Sequence, residues 1–161
     1  MSVRASPRGV GRGARIAAAV LALAAAGAAH AADIHLQTAW MRPVAAGSDG
    51  RVYLDIESDA ALRLVGASSP LARKVQIIQV QKTDGLDPGK AVRTLPVVAG
   101  ETRLAYKGNH LRLVGVRETL ANGTRVPLTL RFRDRAGKRY EASAQVQVRG
   151  LVVPHATLPG S

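Results

Sequence analysis

From Trp40 onward, apolar residues recur at every second position, in short runs that stop at Gly, Pro, Asn or Asp. That period belongs to a strand with one buried face, and no stretch keeps the 3.6 period of a long amphipathic helix. Val52, Leu54 and Ile56 alternate with Tyr53, Asp55 and Glu57. Val126, Leu128, Leu130 and Phe132 alternate with Pro127, Thr129, Arg131 and Arg133, and Tyr140, Ala142, Ala144, Val146 and Val148 alternate with polar residues. Each reads as a half-buried strand. Residues 134–138, with Gly137 placed for a left-handed turn, join the last two as a hairpin. Further strands are expected at 62–65, 75–80, 101–105 and 111–116, separated by turn chemistry such as Lys107-Gly108-Asn109 and Asn122-Gly123. About seven or eight strands in roughly 110 residues predict an all-β chain, a single antiparallel β-sandwich.

Ahead of that pattern the composition changes. Arg4, Arg8, Arg12 and Arg15 come without an acid, residues 16–29 are apolar and mostly Ala, and Ala29-His30-Ala31 follows. This is the order of a secretory signal peptide over residues 1–31, and the apolar run is too short and too weakly hydrophobic to span a bilayer. The expected product is periplasmic and begins at Ala32, with a domain at 32–149 and an extended or disordered tail at 150–161. No transmembrane anchor is expected. The chain carries 23 Lys+Arg against 11 Asp+Glu. Removing the leader's four arginines leaves 19 cations against 11 anions, and export makes nucleic acid an improbable partner.

The inventory of reactive groups is small. There is no Cys, so disulfides, thiolate nucleophiles, Cys-bound metals and a lipid-bearing cysteine fall away. No phosphate-binding Gly-Lys-Ser/Thr loop or Gly-x-Ser-x-Gly elbow occurs, and the carboxylates are scattered over polar faces and turns. An enzyme is not indicated. His35, His110 and His155 remain after processing, with no pair at ligand spacing, and Met41 is the one thioether left. The cations Arg131, Arg133, Arg135, Lys138 and Arg139 lie along the expected hairpin. They read as a solvated outer face, or as a platform for an acidic partner.

Several longer runs then fall in a familiar order: Ala39-Trp40-Met41-Arg42-Pro43, Val52-Tyr53-Leu54-Asp55-Ile56-Glu57, Leu62-Arg63-Leu64-Val65-Gly66-Ala67-Ser68-Ser69-Pro70, Lys107-Gly108-Asn109-His110-Leu111-Arg112-Leu113-Val114-Gly115-Val116 and Leu120-Ala121-Asn122-Gly123-Thr124-Arg125-Val126-Pro127-Leu128. In that order they resemble the periplasmic copper chaperones of the PCu(A)C family, over about residues 38–149. The resemblance implies a cupredoxin-like β-sandwich that carries Cu(I) and passes it to the copper centres of cytochrome oxidase or another periplasmic acceptor.

Family members hold copper with two His and two Met, a soft set that suits the cuprous ion. By the same resemblance the first His falls at Ile78, one Met near Thr94, and the final His-x-Met becomes His110-Leu111-Arg112. His110 is then the one ligand kept. A guanidinium stands where a thioether is expected, and at an effective dielectric of about 20 two unit charges roughly 4 Å apart repel by about 4 kcal/mol. Met41 is the only sulfur that could join His110, though a Met on a Trp-containing strand reads first as core. The expectation is a copper chaperone-like protein with weak or absent Cu(I) binding. The alternative is a metal-free β-sandwich binding or adapter module in the periplasm.

Overall fold

The structure is a computed structural model that describes residues 31–82 and 86–150. The expected signal peptide, apart from Ala31, and the expected tail beyond Gly150 lie outside the described residues, as do His30 and His155. Among the described residues ten strands follow in chain order: β1 Ile34–Met41, β2 Gly50–Ser58, β3 Leu62–Ser68, β4 Ala72–Gln79, β5 Lys90–Val92, β6 Leu95–Val97, β7 Gly100–Leu104, β8 His110–Val116, β9 Arg125–Arg133 and β10 Arg139–Val148. They hydrogen-bond in the order β5-β4-β8-β2-β1-β10-β9-β3-β6, with β7 on β2. The sheet curls until Val65 and Ala67 of β3 line the same cleft as Val75 and Ile77 of β4. It is thus nearly closed on itself.

Period-two alternation supplies the filling. Leu128, Leu130 and Phe132 of β9 are buried together with Val146 and Val148 of β10, Val52, Leu54 and Ile56 of β2, and Leu111 and Leu113 of β8. The expected hairpin forms, with Phe132 opposite Tyr140 and Arg133 opposite Arg139. Asp134 ties its turn: Asp134 Oδ1 accepts from the Lys138 N–H (2.8 Å) and Oδ2 from the Tyr140 hydroxyl (3.0 Å). Gly137 has φ of 88° with open space where a Cβ would stand, so only backbone strain opposes a side chain there. Gly137→Ala is expected to cost about 1–2 kcal/mol, the penalty of a left-handed non-glycine residue, read as a shift in the urea midpoint.

Two features differ from the sequence reading. The sheet is mixed rather than antiparallel, because β1 pairs with β10 in parallel, Trp40 opposite Gln147 and Met41 opposite Val148. No hairpin links these strands, so nothing local fixes their relative direction. The three-residue strands β5 and β6 are too short to show a period.

A register shift in β1 decides what faces what. Ile34 and Leu36 pack on the core, and so do Ala39 and Met41, one residue out of step. The extra residue is a β-bulge between Gln37 and Trp40, with Thr38 at φ 51°. Without it Trp40 would point into the core and Met41 out.

Candidate functional site

Across β4, β8, β2 and β1 the registers build three adjacent rows. Ile77 opposes Leu111, Leu111 opposes Val52 and Val52 opposes Met41, and all four side chains are buried in the core. One step along each strand, on the other face, Ile78 opposes His110 while Tyr53 opposes Trp40. One step the other way, Gln76 opposes Arg112 and Arg112 opposes Arg51. Met41 therefore belongs to the core row, and His110 stands on the opposite face of the sheet. The structure does not bring these two candidate ligands together.

His110 is placed by a tight excursion between β7 and β8, both of which pair along one edge of β2. Ala105 N–H donates to the Asn109 carbonyl and Gly108 N–H to the Ala105 carbonyl, each at 2.9 Å. Asn109 Oδ1 also accepts from the Val80 N–H at 2.9 Å, which fastens the end of β4 to this loop. The histidine is 3% exposed, and its Nδ1 lies 2.8 Å from the Gly108 carbonyl. A carbonyl only accepts, so Nδ1 carries the hydrogen and the neutral ring keeps its lone pair on Nε2. That Nε2 is buried and has no hydrogen-bond partner.

Aromatic rings flank it. Tyr53 lies 6.2 Å from the His110 ring, 4.8 Å from Trp40 and 6.2 Å, edge-on, from Tyr106. Burial holds the His110 pKa below its ordinary 6.5; the Gly108 bond opposes this, and the charges of Arg51 and Arg112 reinforce it. The Tyr53 hydroxyl is pushed up by burial, with Arg51 and Arg42 working against the shift.

The His110 shift has a consequence for stability. Because the folded pKa lies below the unfolded one, the unfolded chain takes up the proton first as pH falls. The stabilisation from the neutral ring is complete above about pH 6.5 and is lost progressively below it, until folded His110 itself protonates. In metal-free protein, urea midpoints between pH 7.5 and 5 are expected to fall for the wild type and to fall less steeply for His110→Gln. Equal slopes would contradict this assignment.

The remaining candidates lie elsewhere. His35 is exposed on β1, opposite Glu57 and 3.3 Å from Asp33. Thr94 follows β5 and lines a cleft with Val65 and Arg133. The residue of that region opposite Ile78 is Ala91. Among the described residues no three His, Cys, Asp or Glu converge as a metal-binding group.

The family described as "Putative lipoprotein LpqE-like" matches residues 34–148, the whole of the strand region. The chain belongs to the LpqE-like family. Its fold is that of PCuAC domains. A copper-bound PCuAC domain from PmoF2 superimposes with a TM-score of 0.55 at 21% identity, covering 73% of this chain and 92% of that one. An apo PCuAC domain from PmoF1 gives 0.57 at 19%, covering 73% and 93%. The solution structure of CuI-DR1885 from Deinococcus radiodurans gives 0.52 at 25%, covering 79% and 85%. A comparison with curated protein sequences gives no match.

In this LpqE-like chain the signal that sequence reasoning missed is cross-strand. Arg51 and Arg112 are far apart in sequence, and only the β2–β8 register sets them side by side. The Gly108 carbonyl that fixes the His110 tautomer is equally invisible in a list of side chains.

Proposed function

We propose that this LpqE-like chain is an exported, copper chaperone-like protein whose Cu(I) site is reduced to His110, so that it holds the cuprous ion weakly. The observation that carries the reading is the buried, unpartnered Nε2 of His110, with its tautomer set by the Gly108 carbonyl. Histidines that bind metal characteristically donate their other N–H to a carbonyl in this way. The surroundings fit copper poorly. Ile78 opposite His110 offers no donor, and Arg112 and Arg51 bring positive charge to the same face. Copper here is cargo, and neither the family nor the arrangement suggests catalysis.

Residues 1–31 act as the export signal in this reading, 32–149 as the working domain in the periplasm and 150–161 as a tail. Among the described residues no helix is long and apolar enough to cross a membrane. The basic hairpin, with Arg131, Arg133, Arg135, Lys138 and Arg139, is the face offered to an acidic partner such as a copper acceptor. The fold enlarges it, since Arg63 opposes Arg133, and Arg93 lines the same cleft as Arg131 and Arg139. A metal-free binding module is the second reading, favoured by the Arg51–Arg112 pair beside His110.

Competition for Cu(I) against a chelator of graded strength, on the mature chain, separates these. The proposal expects copper to be retained only against weak chelators and lost altogether in His110→Ala. No retention at any chelator strength would leave the metal-free module, and tight binding that survives His110→Ala would overturn both.

A further inference from the structure

The outer row of β8 and β2 is unusual in its charge. Arg51 and Arg112 are direct cross-strand partners, and residues so placed have Cβ atoms only about 4.5–5.5 Å apart, where like charges destabilise a sheet. Arg42, the residue after Met41, lines the same cleft as Arg51, so a third guanidinium joins the row. The ion pairs among the described residues are His35 with Asp33, and Arg103 with Asp55 and Glu101. None of them engages Arg42, Arg51 or Arg112.

The cleft holds about 300 Å³ between Arg42, Arg51, Tyr53, Tyr106 and Asp49. Asp49 is its one acid, and its Oδ1 already accepts from the Gly115 N–H at 2.9 Å. Tyr106 is 53% exposed, large for an aromatic ring, yet it is held edge-on to Tyr53 with the Arg42 guanidinium 5.3 Å and the Lys107 ammonium 5.9 Å from its centroid. The wall is therefore stacked and charged at once. Guanidinium groups set on neighbouring strands of one face, outside the ion pairs of the described residues, are matched to oxyanions, which they can grip bidentately. The volume is at the lower end for small-molecule sites.

We propose that the cleft between Arg42, Arg51 and Tyr106, with Arg112 alongside, binds a small multivalent oxyanion of the phosphate or polycarboxylate kind. The anion neutralises the row that the β2–β8 register forces together, and the tyrosine walls confine it. The anion is held through guanidinium and hydroxyl donors, whereas copper would take the His110 lone pair.

The test is an NMR titration of the mature chain with inorganic phosphate and, separately, citrate, following the arginine Nε–H signals at constant ionic strength set by NaCl. Saturable shifts at Arg42 and Arg51 are expected with at least one probe. Arg51→Gln and Arg112→Gln should each weaken binding by about 10-fold or more, the worth of a charge-assisted hydrogen bond. Arg135→Gln on the hairpin should leave the affinity within about twofold, as expected for a distant site with no shared partner. Shifts that NaCl alone reproduces, shifts confined to the β9–β10 hairpin, or equal weakening by Arg135→Gln would overturn the proposal. None of those outcomes decides whether Cu(I) is retained, which is read separately by chelator competition.

Discussion

Changing Ile78 to His, Ala91 to Met and Arg112 to Met in one chain is expected to tighten Cu(I) binding by at least about 100-fold, since disturbing even the support of a metal ligand costs about 10–100-fold. The placement follows the registers. Ile78 is the direct partner of His110, Ala91 is the direct partner of Ile78, and Arg112 shares the face of His110 two residues on. Thr94, which the resemblance suggests as a methionine position, lies off this row in the cleft of Val65 and Arg133. Arg112→Met alone should give the largest single gain, because it adds a soft donor and removes a fixed positive charge together. A triple variant no tighter than its parent in chelator competition would mean that His110 is not at the centre of a copper site.

Phe132→Ala is the substitution with the largest expected cost to the fold. Phe132 is fully buried in β9, between Leu64 of β3 and Tyr140 of β10, so its removal leaves a cavity that three paired strands cannot close. The loss should be about 3–5 kcal/mol, a large share of the roughly 5–15 kcal/mol that holds a domain of this size. In urea the midpoint should fall by at least about 1 M. A loss below about 1 kcal/mol would show that this layer is not the packed centre of the sandwich.

Phe132 also shows why so much of the fold was legible. It sits in a run of four alternating apolar residues, and a strand with that pattern has only one register that buries them all. The same logic found the segments that became β2, β9 and β10, and turn residues bounded those that became β3, β4, β7 and β8. It failed where no period exists, in β5 and β6, and where a period breaks, at the Thr38 bulge that turns Met41 inward. The candidate site was less legible because its parts meet only in the sheet. His110 could be singled out by its neighbours in sequence, but its burial, its tautomer and the facing Ile78 come from the β7–β8 excursion and the β4–β8 register. The arginine row needs β1, β2 and β8 assembled before it exists.

In the proposed function His110 Nε2 is the copper donor of this chain. Nitrogen-15 NMR of the imidazoles, recorded while the mature protein is titrated anaerobically with Cu(I), reads that atom directly. The Nε2 signal of His110 is expected to move while its Nδ1 stays protonated against the Gly108 carbonyl, and the change should reverse on adding a modest chelator. Copper uptake that moves His35 and leaves His110 Nε2 unchanged would contradict it.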